Sequence, residues 1–210
     1  MLVKICGITR REDAEAAVAY GAGAIGFILW PDSPRVVSLD RAREIVAGLP
    51  IGTLAVGVFV NQPIDEVNGL ADRIGLTHVQ LHGDETPEYA NQVERPIIKA
   101  TSELGHEALQ GWSADTTWLI DARDPVRRGG TGRTADWVQA AEFARGRRVL
   151  LAGGLTPENV AAAIDTVRPY GIDVSSGVES APGIKDRERI RRLFAAIATT
   201  QGEWGKGVKG

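Results

Sequence analysis

The segment Leu2-Val3-Lys4-Ile5-Cys6-Gly7-Ile8-Thr9 decides between two architectures. It reads as a short buried strand ending in a turn. The turn lacks the G-x-G-x-x-G spacing with which an open, doubly wound sheet receives a dinucleotide. Outward from it, seven further apolar runs recur, at 24–29, 54–60, 78–81, 97–100, 118–121, 149–152 and 172–175. Their nearly continuous hydrophobicity suits parallel strands covered on both faces. Helical patterns fill the gaps, at 11–20, 39–48, 64–74, 87–93, 135–145, 157–167 and 186–200. Ser38, Thr86, Thr134 and Thr156 stand where caps belong, Asn61 and Pro63 as a cap and first turn, and Pro157 at a first helical position. Residues 102–113, with two glycines, form the weakest pattern and predict a short or irregular fifth helix. Strands alternating with helices, without hairpin signals, imply right-handed βαβ units. Eight such units in 210 residues predict a closed (β/α)8 TIM barrel, one domain over 1–200 with a tail over 201–210.

Composition narrows the function classes. Hydrophobic residues make up 43% and charged residues 24%, the balance of a well-cored globular chain. A net charge of -3 provides no overall basic field for nucleic acid or anionic lipid. One cysteine rules out an internal disulfide framework, and with three histidines leaves little for a structural zinc site. The opening residues lack the basic-then-apolar layout of a signal peptide, and no apolar stretch is long enough to span a bilayer. The expectation is a cytoplasmic protein without membrane or nucleic-acid partners, monomeric or homodimeric.

In this fold active sites form at the carboxyl ends of the strands. The polar residues there are Lys4 and Cys6, Arg35, Asn61, Gln80 and His82, Asp121, Gly153-Gly154, and Asp173 with Ser175 and Ser176. Strand alternation puts Lys4 with Cys6, and Gln80 with His82, on inward faces opposite Ile5 and Leu81. Taken singly, each has an ordinary reading: a buried thiol is commonly a small hydrophobe, Asp121 a loop cap, His82 a satisfied structural histidine. His78 and His82 lie about 13 Å apart along a strand and cannot share a metal. Gly153-Gly154 after the seventh run and Ser175-Ser176-Gly177 after the eighth fall where this fold binds phosphate. Gly129-Gly130-Thr131-Gly132, with Arg127 and Arg128, reads as a lid or a further phosphate contact.

Seven motifs in register carry a family resemblance. They are Lys4 to Thr9; Gly26-Phe27-Ile28 with Ser33-Pro34-Arg35; Gly57 to Asn61; Val79 to Gly83; Asp121 with Gly129 to Gly132; Leu151 to Leu155; and Asp173 to Glu179 with Pro182-Gly183, Lys185 and Asp186. Over residues 2 to about 200 the chain resembles phosphoribosylanthranilate isomerase. That resemblance implies a (β/α)8 barrel of tryptophan biosynthesis, without metal or organic cofactor, acting on a small phosphorylated substrate. The reaction implied is the Amadori rearrangement of N-(5-phosphoribosyl)anthranilate to 1-(2-carboxyphenylamino)-1-deoxyribulose 5-phosphate. It further implies Cys6 as general base at C2', Asp121 as general acid at the ring oxygen, and Arg35 on the anthranilate carboxylate. Gly154, Ser175 and Ser176 would then bind phosphate, and Asp173 the ribose hydroxyls. Lys4 and His82 complete the expected substrate-binding set.

The chemistry needs one group that gives a proton to oxygen and another that takes one from carbon. A free thiol is only about 3% thiolate at pH 7, and Lys4 is the neighbour expected to lower its pKa, unless its ammonium contacts phosphate instead. Three alternatives stay open: a broader isomerase also acting on the aminoimidazole carboxamide ribonucleotide of histidine synthesis, a sister chemistry that typically draws on two aspartates; a phosphosugar-sensing barrel without turnover; and an indole-glycerol-phosphate-synthase-like lyase, marked by a glutamate against Lys4.

Overall fold

The computed structural model describes residues 1–105, 109–121 and 137–204. Eight parallel strands close into a barrel in chain order: β1 (Leu2–Ile5), β2 (Ala24–Ile28), β3 (Leu54–Phe59), β4 (His78–Leu81), β5 (Ile97–Thr101), β6 (Thr117–Asp121), β7 (Val149–Ala152) and β8 (Gly171–Val174). The seam closes where β1 pairs with β8, with Leu2 opposite Gly171 and Lys4 opposite Asp173. Around the strands lie α1 (Arg11–Tyr20), α2 (Leu39–Ala47), α3 (Ile64–Ile74), α4 (Pro87–Ala90), α5 (Trp137–Ala144), α6 (Val160–Val167) and α7 (Arg187–Trp204). After β8 the chain adds a 3-10 turn (Ser176–Val178) and an antiparallel hairpin, β9 (Glu179–Ala181) and β10 (Ile184–Lys185).

Strand alternation sorts the apolar residues into two cores. Ile5, Ile25, Phe27, Phe59, Leu81, Ile120, Leu151 and Ile172 face outward and pack with the helices. Ala24, Val56, Ile98, Ala100, Leu119, Leu150 and Ala152 fill the barrel itself. On β5 and β7 the inner residue shrinks toward the carboxyl end, from Ile98 to Ala100 and from Leu150 to Ala152, which opens space for a site.

The predicted architecture is the observed one, and the differences are local. Ser38 and Thr86 cap α2 and α4 through Arg41 and Tyr89. Asn61 does not cap α3: Pro63 holds that position, while Asn61 takes a left-handed φ of 53° and ties to Asp84 instead. The predicted start of α6 at Pro157 is overturned as well. The Asn159 side chain accepts from Thr156 N at 2.8 Å and donates to Gly154 O at 3.0 Å, holding a turn that delays the helix to Val160. Such local side-chain bonds compete with helix formation. α4 stops at Ala90, three residues short of its predicted end. Over 102–113, where a short or irregular fifth helix was expected, the described residues hold no α-helix. α7 runs on to Trp204, four residues into the expected tail. The glycine loop 129–132, Arg127, Arg128 and Thr134 lie outside the described residues. Among those described, no helix is long and apolar enough to cross a membrane.

Candidate active site

A cavity of about 480 Å³ opens at the carboxyl ends of the strands. Cys6 and Asp121 both line it. β6 is three strands from β1 around the closed barrel in one direction and five in the other, so the thiol and the carboxylate come from opposing walls. Gln80, His82, Asp173 and Ser175 share the inward parity and also line the cavity. Arg35 reaches it from the loop between β2 and α2, and Gly154 and Ser176 from the loops after β7 and β8.

Lys4 is placed differently. It is fully buried, and its ammonium donates to Asp173 Oδ1 at 3.0 Å beneath the cavity rather than on its wall. Gly26 makes this possible. A Cβ there would lie 2.8 Å from Cys6 Sγ and 2.9 Å from Lys4 Nζ. Burial alone would lower the Lys4 pKa, but Asp173 and Cys6 outweigh it and the net shift is upward. For Cys6, burial pushes the thiol up, Lys4 pulls it back, Asp173 pushes again, and the balance lies above the ordinary value. The expected lowering by Lys4 is thus real in sign but smaller than the cost of placing a thiolate at a buried position.

His82 is held by its neighbour on the same face. Gln80 Nε2 donates to His82 Nδ1 at 2.8 Å, which leaves the ring proton on Nε2. Burial lowers the His82 pKa against the pull of Asp121 and Asp173, so the ring is neutral near pH 7. Two buried polar atoms of the cavity have no partner among the described residues, Gln80 Oε1 and Ser175 Oγ. Buried groups left unmet are costly, and a ligand that meets them recovers that cost.

The loops after β7 and β8 are pressed together. A Cβ on Gly177 would fall 1.8 Å from Leu155 O, so only glycine fits, and Gly153 and Gly154 take φ of 94° and 66°. Side-chain-free backbone at the mouth is what close approach to an anion requires.

Three features were not singled out from sequence. Trp30 and Pro34 line the cavity beside Arg35 and give that end an apolar wall. Trp30 has the same parity as Ile28, a signal that alternation already contained. Behind Arg35 stands Glu179, which receives Nε at 2.9 and 3.1 Å and Nη2 at 2.7 Å. This glutamate contacts Arg35 and Lys185, not Lys4, whose partners are Asp173 and Cys6. The Lys–Glu pair that would have marked a lyase is therefore not formed at Lys4. Among the described residues no group of three or more His, Cys, Asp or Glu is placed to hold a metal ion.

Residues 3–196 match the profile of the N-(5'-phosphoribosyl)anthranilate isomerases. The chain belongs to this family. An N-(5'-phosphoribosyl)anthranilate isomerase of Pelobacter propionicus is 46% identical over 203 residues, covering 96% of this chain and 97% of its own. The crystal structure of the Thermotoga maritima phosphoribosylanthranilate isomerase superposes with a TM-score of 0.87 at 40% identity, covering 96% of this chain and 99% of that one. A second solved isomerase, held with reduced 1-(o-carboxyphenylamino)-1-deoxyribulose 5-phosphate, gives 0.83 at 38% identity, covering 96% and 100%. Family membership makes the protein an isomerase of tryptophan biosynthesis, as the seven sequence motifs implied.

Proposed function

We infer that the cavity carries out the family's Amadori rearrangement, with Cys6 and Asp121 as its acid–base pair. The observation that carries this assignment of residues is their placement on opposing walls of one cavity with phosphate-type loops at its rim. Asp121 gives its proton to the furanose ring oxygen; the C1'–O bond breaks, and the anilino nitrogen lone pair forms a protonated imine. The Cys6 thiolate then takes the proton from C2', whose electrons form the C1'=C2' bond while the imine electrons return to nitrogen. Loss of the 2'-hydroxyl proton and protonation at C1' complete the ketose. The order suits the thiol. Burial raises its pKa, and the cationic imine formed beside it favours the charged sulfur at the step that needs it.

The remaining residues fit the two ends of such a substrate. At one end Arg35, Trp30 and Pro34 present a cation beside an apolar wall, suited to a benzoate. For the phosphate, Gly154 and Ser176 bring backbone close, and Ser175 Oγ, which lies near the Arg35 side chain over Gly7 and has no partner among the described residues, has a proton to give. Asp173 on the cavity wall is placed for the ribose hydroxyls, and the His82 Nε2–H, without a hydrogen bond among the described residues, can donate. Lys4 acts through Cys6 and Asp173 without touching the substrate. A small phosphorylated substrate is the partner this arrangement serves, and a cytoplasmic setting is the compartment we propose.

Replacing Cys6 by Ala and Asp121 by Asn should each lower kcat at least about a hundredfold in an assay of phosphoribosylanthranilate fluorescence. Arg35→Ala should raise KM more than it lowers kcat. Near-normal turnover in either of the first two variants removes the acid–base assignment.

A further inference from the structure

We propose that Glu179 is a positioning residue that fixes the plane of the Arg35 guanidinium, so that the aglycone carboxylate is received end-on and recognised as a carboxylate. This rests on the reading of Arg35 as the carboxylate holder. Arg35 sits on a loop after β2, 144 residues from Glu179 in sequence, and is only partly covered. A long side chain in such a place loses considerable rotamer freedom on binding a ligand. Glu179 removes that freedom beforehand. Its carboxylate takes the Nε–Nη2 edge, and among the described residues Nη1 makes no hydrogen bond. The edge left to a ligand is the end formed by Nη1 and Nη2.

Glu179 is itself fixed by more than Arg35. It is 6% exposed, accepts from Lys185 Nζ at 2.8 Å and from Gly183 N at 3.2 Å, and is carried by the hairpin β9–β10. Lys185 Nζ also donates to Ser175 O at 3.3 Å, and Lys185 N donates to Asp13 Oδ2 at 3.0 Å. The hairpin, tied to the barrel by these contacts, brings a carboxylate behind Arg35 at the mouth. Charge makes the same point. Arg35, Glu179 and Lys185 sum to one positive charge in a largely buried cluster, which a ligand carboxylate would neutralise.

The test compares two reduced product analogues, the 2-carboxyphenylamino and the phenylamino deoxyribitol 5-phosphates, by their inhibition constants. Their ratio measures carboxylate recognition apart from general stability of the site. Glu179→Gln should lower the ratio at least about tenfold while leaving affinity for the phenylamino analogue within about twofold. KM for the isomerase substrate should rise with kcat largely kept. Arg35→Ala should abolish the discrimination. An unchanged or increased ratio in Glu179→Gln, with Arg35→Ala still losing it, overturns the positioning role and leaves the Arg35 reading intact. An unchanged ratio in Arg35→Ala overturns the reading beneath it. The wild-type protein supplies a second measurement that needs no folded variant at Glu179. The Arg35 Nε–H, assigned by its loss in Arg35→Lys, should exchange slowly with solvent and keep that protection when the carboxylated analogue binds. Loss of the protection on binding would mean the ligand displaces Glu179, and the proposal would fail.

Discussion

Gly26 shows how much one missing side chain can organise. Its absent Cβ leaves the space that the Cys6 thiol and the Lys4 ammonium occupy, and neither has room to retreat, since both are buried and Lys4 is ion-paired. Gly26→Ala should lower kcat at least about tenfold while circular dichroism still shows a folded barrel, the stability loss staying within the ~1–3 kcal/mol of an overpacked core. Full activity in that variant would mean the thiol is not held where the structure puts it. At this scale alternation exposed most of the candidate site before any coordinates. Cys6, Gln80, His82, Asp121, Asp173 and Ser175 share an inward parity, and parity is a local property of a strand. Glu179 escaped because its meaning lies in a partner 144 residues away, and a hairpin outside the eight repeats delivers it. The Cys6 thiol escaped in another sense: the spacing to Lys4 is visible in sequence, but the burial that outweighs Lys4 is not.

Among elements, the loop after β4 is held to β5 by a buried ion pair and to the loop after β3 by a hydrogen bond, neither announced by the strand patterns. Glu85 accepts from Asn61 N at 2.9 Å, from Gly83 N at 2.9 Å and from Lys99 Nζ at 2.9 Å, and Lys99 also donates to Gly83 O at 2.6 Å. Lys99 points outward from β5, opposite in parity to the inner Ile98 and Ala100, and lies 5.7 Å from the Trp112 ring centroid. The clamp therefore fixes the turn that follows His82 from outside the barrel. Lys99→Met leaves the buried Glu85 without its cation and should cost about 3–5 kcal/mol in urea unfolding. The double variant Lys99→Met, Glu85→Gln should lose less than the sum of the singles, since no buried charge is stranded. Simple additivity would show that the two side chains do not act as a pair. Helix existence was readable from capping residues and periodicity, and α1 to α4 begin where expected, whereas α6 does not. At α6 the decision lay with the Asn159 side chain, whose bonds to Thr156 and Gly154 become visible only once the turn has formed.

For the molecule as a whole, the order of eight repeats was readable because each repeat is written locally, but closure is a long-range event. The seam is sewn by polar contacts between the two ends of the chain: Lys4 to Asp173 at 3.0 Å, Thr9 Oγ1 to Gly183 O at 2.6 Å, and Lys185 N to Asp13 Oδ2 at 3.0 Å. Glu179 joins this seam to the β2 loop, and its protonation state should be read by the stability of the entire barrel. Burial alone would raise its pKa, but the hydrogen bonds and charges of Arg35 and Lys185 outweigh that, and the folded-state value lies below the ordinary one. A carboxylate whose pKa falls on folding adds stability above its unfolded-state value of about 4.3, and that contribution disappears as pH drops through the lower folded value. Other carboxylates titrate in both proteins and largely cancel in a difference between wild type and Glu179→Gln. The gap in melting temperature between the two should therefore be positive and nearly level from about pH 5.5 to 7, then narrow below about pH 4. A gap that holds constant to pH 3 would mean that folding does not lower the Glu179 pKa, so that Arg35 and Lys185 do not stabilise its charge in the native barrel.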